Sequence, residues 1–179
     1  MPPTPSSSPF RVVRVFRGAL LSVLFLFSLS AIARAEIKIG DVFPSLATAG
    51  LTGGAVPATE GKILVVDFWA SWCAPCKAAF PTLGKIHADY AARGVVLLGV
   101  SVDEKPAAYA DFVKKMAPPF PTLHDAAQKL VRTVKVPAMP TTYLVGRDGK
   151  VRSIHAGFKG DATDKLLRTE LDALLAEKL

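Results

Sequence analysis

Apolar and polar residues follow each other along the chain in two patterns, one typical of buried strands and one typical of helices. Residues 62–70 (KILVVDFWA) form a nearly continuous apolar run, which predicts a central strand covered on both faces. Residues 94–102 repeat this pattern. Between the two runs, the apolar residues of 73–93 recur at helical spacing, and Gly94 is suited to end a helix. A second helix is predicted over 105–116, where a proline occupies the first turn.

The remaining segments complete an alternation of strands and helices. Residues 36–60 are rich in Gly, Pro, Ala and Thr, which predicts short edge strands and loops. After residue 116 the pattern predicts a short strand, a helix, two strands joined by an Asp-Gly turn and an amphipathic helix, at 120–123, 125–134, 141–145, 150–156 and 160–179. Parallel units that end in an antiparallel hairpin and a covering helix predict an α/β sandwich.

The first 35 residues have the order of an export signal. Arginines at positions 11, 14 and 17 precede an uncharged, mostly apolar stretch from 18 to 33, and Ala33-Arg34-Ala35 fits a cleavage site before Glu36. Sixteen residues fall short of the roughly 20 that span a bilayer. We therefore predict a signal peptide at 1–35 and one domain at 36–179, with an uncleaved membrane anchor as the alternative.

More than half of the net positive charge of the chain comes from the predicted signal. The formal net charge is +7, but four of the 22 Lys and Arg residues lie within residues 1–35, where there is no acid. The rest of the chain has 18 basic and 15 acidic residues, a net charge of +3, and the basic residues are scattered. This distribution argues against a nucleic-acid partner.

The chain has only two cysteines, Cys73 and Cys76, and their spacing favours a redox-active disulfide over a structural one. A disulfide between them closes almost no loop, so it constrains little of the unfolded chain and is more useful as a bond that is made and broken. Cys73 stands where a buried strand meets a helix, and the unpaired N–H groups at a helix N-terminus lower the pKa of a thiol. We therefore predict a partly exposed Cys73 as the attacking thiol and a shielded Cys76 as the resolving thiol.

Residues 66–77 (VDFWASWCAPCK) and the later Met139-Pro140-Thr141 resemble the thioredoxin superfamily. This resemblance implies a thioredoxin-like three-layer sandwich with a central mixed sheet, N-terminal edge strands and a helical insertion before a cis-proline loop. It implies that Pro140 is a cis-proline that faces the disulfide and leaves the Met139 backbone free to pair with a substrate. Substrate contacts are further expected from Trp72, Ala74, Pro75 and Thr141.

Within the superfamily, the chain resembles the TlpA/ResA/CcmG branch. The export signal, the segment 41–44 and the long spacing between Cys76 and Pro140 carry this likeness, and residues 105–123 match the insertion of that branch. It implies a periplasmic, or inner-membrane-anchored, reductant of protein disulfides in cytochrome c maturation or at copper-site thiols, with an oxidant of protein thiols as the alternative. We further expect an upstream membrane electron donor, a monomer, and neither cofactor nor metal.

One departure from the branch concerns its acidic residue. The branch often has Glu three residues beyond the second cysteine, where this chain has Ala79, which puts the haem-maturation role in question. The chain instead has Asp67 on the first buried strand, where thioredoxin itself has a buried acid. Because buried carboxyl groups have raised pKa values, we predict that Asp67 is the general base for Cys76, through a water molecule. The alternative is an exposed Asp at the strand end that only stabilises a turn.

Two other functions use the same cysteines. A copper-delivery module would bind Cu(I) with both thiolates and a third soft ligand, for which only Met139 is available. A thiol peroxidase needs Thr or Ser three residues before its reactive cysteine, and Ala70 occupies that position. The three histidines share no spacing with the cysteines and are expected to be structural: His87, His124 and His155.

Overall fold

The computed structural model describes residues 36–177, and the predicted signal peptide lies outside them. Five strands form one mixed sheet in the order β3-β2-β1-β4-β5. The first three strands are parallel, and β4 is antiparallel to both of its neighbours. Their bounds are β1 Ile63–Trp69, β2 Val95–Ser101, β3 Thr122–His124, β4 Thr141–Val145 and β5 Val151–Ala156. The predicted mixed sheet is confirmed.

Four α-helices accompany the sheet within the described residues: α1 Ala74–Tyr90, α2 Pro106–Met116, α3 Lys129–Val134 and α4 Asp161–Ala176. The first helix ends as predicted, with a 3-10 turn followed by Gly94 at φ 90°. The third begins later than predicted, because the Asp125 carboxylate accepts hydrogen bonds from the N–H groups of Lys129 and Val131. Among these helices, none is both long and apolar enough to cross a membrane.

The central strand β1 divides its side chains between two apolar layers. All seven of its residues are buried, as expected for a strand with neighbours on both sides and layers on both faces. On one face, Trp69 contacts Phe80 of α1 and Phe112 of α2, with ring centroids 5.2 and 4.6 Å apart. On the other face, Phe68 meets Tyr143 edge to face at 5.7 Å. The sheet therefore separates the layer that contains α1 from the opposite layer.

The N-terminal segment connects the two edges of the sheet. Val42 makes a single antiparallel bridge to Lys150 beside β5, and Thr52 makes one to His124 on β3. Between these bridges Phe43 is buried and lies 5.6 Å from the Tyr143 ring. The predicted N-terminal edge strands are thus present only as single bridges, one beside each outer strand.

Candidate active site

The two cysteines lie where the loop after β1 meets α1, with Cys73 at the end of the loop and Cys76 inside the helix. The strand ends at Trp69, and Cys73 is the N-cap residue of α1 with extended backbone angles (φ −85°, ψ 105°). Its N–H donates to the carbonyl of Ala70 (3.1 Å), which closes a tight turn between strand and helix. Pro75 fits the first helical turn, where a backbone N–H has no partner in the helix. The sequence therefore directs Cys73 to the helix N-terminus, as predicted.

A disulfide joins Cys73 and Cys76, with Cα atoms 5.3 Å apart. The N–H of Cys76 points at the Cys73 sulfur, at 3.1 Å. After reduction, the same N–H and the positive end of the helix dipole would stabilise a thiolate at Cys73. The helix N-terminus thus favours ionisation of the first sulfur.

The expected exposure of Cys73 is wrong for this disulfide form. Cys73 is 4% exposed and Cys76 is fully buried. In this form the Cys73 sulfur is bonded to the sulfur of the buried Cys76. Cys76 is shielded as predicted, and Cys73 is still the more accessible of the two.

Asp67 is a buried acid in the middle of β1, so the alternative of an exposed strand-end residue is wrong. It is 1% exposed, and its Oδ1 accepts a 2.7 Å hydrogen bond from the Thr142 hydroxyl. Its Oδ2 is buried and has no hydrogen-bond partner within residues 36–177. Burial raises the pKa of Asp67 to about 7, although the hydrogen bond from Thr142 acts in the opposite direction. The carboxyl group can therefore exchange a proton near neutral pH.

The layer that contains α1 covers the face of β1 on which Asp67 lies. Side chains alternate along a strand, so Asp67 and Trp69 point to the same face, and Trp69 contacts Phe80. Phe80 lies four residues after Cys76, on the same side of α1. Cys76 and Asp67 therefore both belong to the interface between α1 and the sheet.

The proline loop ends beside the same turn. The Met139–Pro140 peptide bond is cis, as the resemblance implied. Thr141 pairs with Phe68, which places Pro140 at the end of β1 from which the cysteine loop starts. The Pro140 carbonyl accepts from Gly157, but the backbone groups of Met139 have no hydrogen-bond partner among the described residues. The Met139 backbone is thus available to another chain.

Exposed side chains lie next to the buried disulfide. Trp72 is 69% exposed, and Ala74 and Pro75 are also exposed. Met139 is half-buried, whereas Pro140 and Thr141 are buried. The first four of these predicted contact residues offer surface to a substrate, and Thr141 instead donates its hydroxyl to the Ala138 carbonyl (2.8 Å).

The sequence reasoning missed Asp103. This residue follows β2, is 2% exposed and accepts hydrogen bonds from Ser71, two residues before Cys73. A signal was present in the sequence: because β1 and β2 are parallel, residues just beyond their carboxyl ends meet at one edge of the sheet. An acid directly after the second buried strand was therefore a candidate neighbour of the cysteine loop.

The histidines occupy separate places. The His124 ring is buried and Nε2 donates to the Asp103 carbonyl, while Nε2 of His155 lies 2.7 Å from Oε2 of Glu170. His87 is half-buried on α1. In residues 36–177, no three His, Cys, Asp or Glu side chains come together as a metal site would require.

Known proteins resemble this chain in sequence and fold. Residues 39–154 match the AhpC/TSA family. Thiol-disulfide oxidoreductase ResA of Bacillus thuringiensis (strain Al Hakam) is 30% identical over 118 residues, which are 65% of this chain and 68% of that protein. A crystal structure of thiol:disulfide interchange protein DsbE from Chlorobium tepidum matches with TM-score 0.72 and 30% identity, over 79% of this chain and 100% of that one.

A more distant structure is that of a secreted disulfide oxidoreductase from Mycobacterium tuberculosis. Its TM-score is 0.56 at 25% identity, over 64% of this chain and 84% of that one. Together with the nearer matches, it confirms the predicted thioredoxin-like fold and the predicted class of chemistry.

Proposed function

Since the chain belongs to the AhpC/TSA family and is a thiol–disulfide oxidoreductase of the ResA and DsbE type, we propose that it acts in the periplasm as a reductant of disulfides in exported apoproteins. The signal-like residues 1–35 and the secreted relative support the export. The direction of electron flow rests on the resemblance to the TlpA/ResA/CcmG branch. Cytochrome c precursors and copper-site thiols are the proposed substrates.

The proposed reaction begins with the reduced enzyme. The Cys73 thiolate attacks one sulfur of a substrate disulfide, the substrate S–S bond breaks, and the released thiolate takes up a proton. Substrate and enzyme are then joined by a mixed disulfide. The free Met139 backbone and the exposed Trp72 hold the substrate chain beside Cys73 during this step.

The second step releases the product. The Cys76 thiol passes its proton to Asp67 through a water molecule and attacks the Cys73 sulfur. The bond between Cys73 and the substrate breaks, and the substrate leaves with its second reduced sulfur. Two electrons have passed from the enzyme dithiol to the substrate, and the enzyme has the disulfide found here. A membrane dithiol donor then reduces it again.

One observation carries this assignment of roles. Oδ2 of Asp67 is buried without a partner within residues 36–177, in the interface that α1 and Cys76 cover, and the pKa of Asp67 is about 7. A carboxyl group in this state can accept the proton that the resolving thiol must lose, whereas Cys73 at the helix N-terminus needs no base.

Trapping of mixed disulfides tests the proposal. Cys76→Ser leaves the attacking thiol without its resolving partner, so the variant should accumulate covalent adducts with exported proteins, identified by mass spectrometry. Cys73→Ser is the matched control and should give neither adducts nor turnover. Adducts with Cys73→Ser but not with Cys76→Ser would contradict the assigned roles. Cu(I) binding that survives competition, without insulin-disulfide reduction, would favour the copper module.

A further inference from the structure

Asp103 is a buried acidic residue whose side-chain oxygens accept hydrogen bonds from uncharged donors. Its two oxygens lie 3.1 and 3.0 Å from the Ser71 backbone nitrogen, and Oδ1 accepts from the Ser71 hydroxyl at 2.8 Å. Oδ2 also accepts from the Ser101 hydroxyl at 2.8 Å. These donors carry no charge, so among them there is no cation that forms an ion pair with this buried carboxyl group.

These bonds hold the turn that ends at the attacking cysteine. Ser71 lies inside the turn closed by the hydrogen bond from Cys73 to Ala70. At the start of the same loop, the Trp69 carbonyl accepts a 2.9 Å hydrogen bond from the N–H of Val102, the residue before Asp103. The path of the chain from β1 to Cys73 is therefore fixed from the end of β2.

The backbone of Asp103 is held by a hydrogen bond from His124 of β3. Its carbonyl accepts a 2.6 Å hydrogen bond from Nε2 of His124, which must carry the proton because a carbonyl oxygen cannot donate. The His124 ring stacks on Tyr109 of α2 with centroids 4.8 Å apart and an interplanar angle of 6°. Asp103 is thus connected through His124 of β3 to Tyr109 of α2.

We propose that Asp103 is a positioning residue for Cys73: its carboxylate fixes the turn that presents the sulfur, and its charge limits how readily that sulfur ionises. A nearby negative charge disfavours a thiolate, which opposes the effect of the helix N-terminus. A less stable thiolate makes the dithiol a stronger reductant. The inference rests on the proposed attacking role of Cys73.

Other ionisable groups lie around Asp103 and the cysteine loop. They lie in the groove beside Ser71 and Trp72, on β3, on β1 and on α1: Glu104, Lys105, His124, Asp67 and Lys77. Of these, His124 contacts Asp103 directly. Variants at Asp103 leave these groups in place, so differences between the variants report on the Asp103 carboxylate itself.

Two substitutions distinguish the hydrogen bonds of the Asp103 side chain from its charge. Asp103→Asn keeps an oxygen acceptor for Ser71 but removes the charge, and Asp103→Ala removes both. Asp125 provides the matched control, because it is another buried Asp (1% exposed) whose carboxylate accepts from backbone N–H groups of α3 instead of the cysteine loop. Asp125→Asn and Asp125→Ala therefore report the cost of losing a buried carboxylate elsewhere.

The readouts are the kcat and KM for insulin-disulfide reduction and the pH profile of Cys73 alkylation in the reduced protein. We expect Asp103→Ala to lower kcat roughly tenfold with little change in KM, and Asp103→Asn to restore most of it. We expect Asp103→Asn to raise the Cys73 alkylation rate at pH 6 roughly tenfold, with its midpoint at lower pH. The Asp125 variants should lose stability without either change.

Folded Asp103 variants with the wild-type kcat and alkylation profile would overturn the proposal, as would equal shifts in the Asp125 variants. If the Asp103 variants do not fold, Ser71→Ala removes only the 2.8 Å hydroxyl contact and should lower kcat roughly threefold. An unchanged kcat in folded Ser71→Ala would then overturn the proposal. Trapping by Cys76→Ser does not depend on Asp103, so it tests the proposed function separately.

Discussion

Thr142 donates a 2.7 Å hydrogen bond to one oxygen of Asp67, while the other oxygen of the same buried carboxylate has no partner within residues 36–177. The two residues lie opposite each other on β4 and β1. A single neutral donor does not compensate for full burial of a carboxylate, so the protonated form is favoured. This incomplete pairing keeps the pKa of Asp67 at about 7.

The raised pKa predicts that stability falls as the pH rises. The Asp67 pKa is about 7 in the folded protein, and about 3.9 is usual in an unfolded chain. Between these values the folded state holds a proton that the unfolded state has lost, so the free energy of unfolding decreases with pH. Asp67→Asn should abolish this dependence and be more stable above pH 7, by as much as about 4 kcal/mol. Urea denaturation of the disulfide form at several pH values measures it.

Thr142→Val provides the control for that prediction. Without the hydroxyl, the pKa of Asp67 should rise further, and the loss of stability should extend to higher pH. Parallel stability curves for Asp67→Asn and the wild type would mean that Asp67 does not titrate as described.

Asp67→Asn should also slow the release of substrate from Cys73. The amide cannot accept the Cys76 proton, so decay of a preformed mixed disulfide should slow by roughly a hundredfold at pH 7. The first attack by Cys73 should change much less, because it depends on the helix N-terminus. Stopped-flow measurement of both steps separates them. Equal slowing of attack and release would assign Asp67 a structural role.

The order of elements could be predicted from sequence because each has a strong local pattern. The run at 62–70, the helix that ends before Gly94 and the Asp-Gly hairpin all follow from periodicity and turn chemistry. Residues 36–60 have no such periodicity, and only long-range pairing at Val42 and Thr52 determines where they lie. The sequence therefore predicts that residues 36–60 form loops and short edge strands, but not which strands they pair with.

The candidate site shows the same division. Cys73 and Cys76 follow from the motif, and the burial of Asp67 follows from its place in an apolar strand. Asp103 was missed because its partner Ser71 lies 32 residues away and the contact exists only when two parallel strands end side by side. The sequence pattern did not predict the low exposure of Cys73, which is found here in the disulfide form.

Trp72 is predicted to matter for substrate binding and not for stability. It is 69% exposed, next to Cys73, so truncation removes little packing. Trp72→Ala should lower kcat/KM for a protein disulfide by roughly fivefold to tenfold and leave the free energy of unfolding within about 0.5 kcal/mol. Leu166→Ala is the control, because Leu166 is also exposed (46%) but lies on α4. Equal kcat/KM values for the two variants would exclude Trp72 from the binding surface.

Gly99 is predicted to be required where β2 passes Trp69. A Cβ atom at Gly99 would lie 2.9 Å from Nε1 of Trp69 and 3.3 Å from atoms of Phe120 and Thr122. The Trp69 ring has no room to yield, because it is fully buried against Phe80 and other aromatic rings. Gly99→Ala should therefore cost about 1–3 kcal/mol in the free energy of unfolding, measured by urea denaturation.

Gly54→Ala is the control for this substitution. Its Cβ would lie 3.4 Å from Leu123, an ordinary contact, so its cost should stay within about 0.5 kcal/mol. Fluorescence locates the effect: the chain has two tryptophans, so in a Trp72→Phe background the emission reports Trp69 alone. Gly99→Ala should shift that emission because the indole must move, and Gly54→Ala should not. If Gly99→Ala were as stable as the wild type and its emission were unchanged, Trp69 would be loosely packed. Asp67 lies on the same face of β1, so its interface would then be more adaptable than the close contacts of Trp69 indicate.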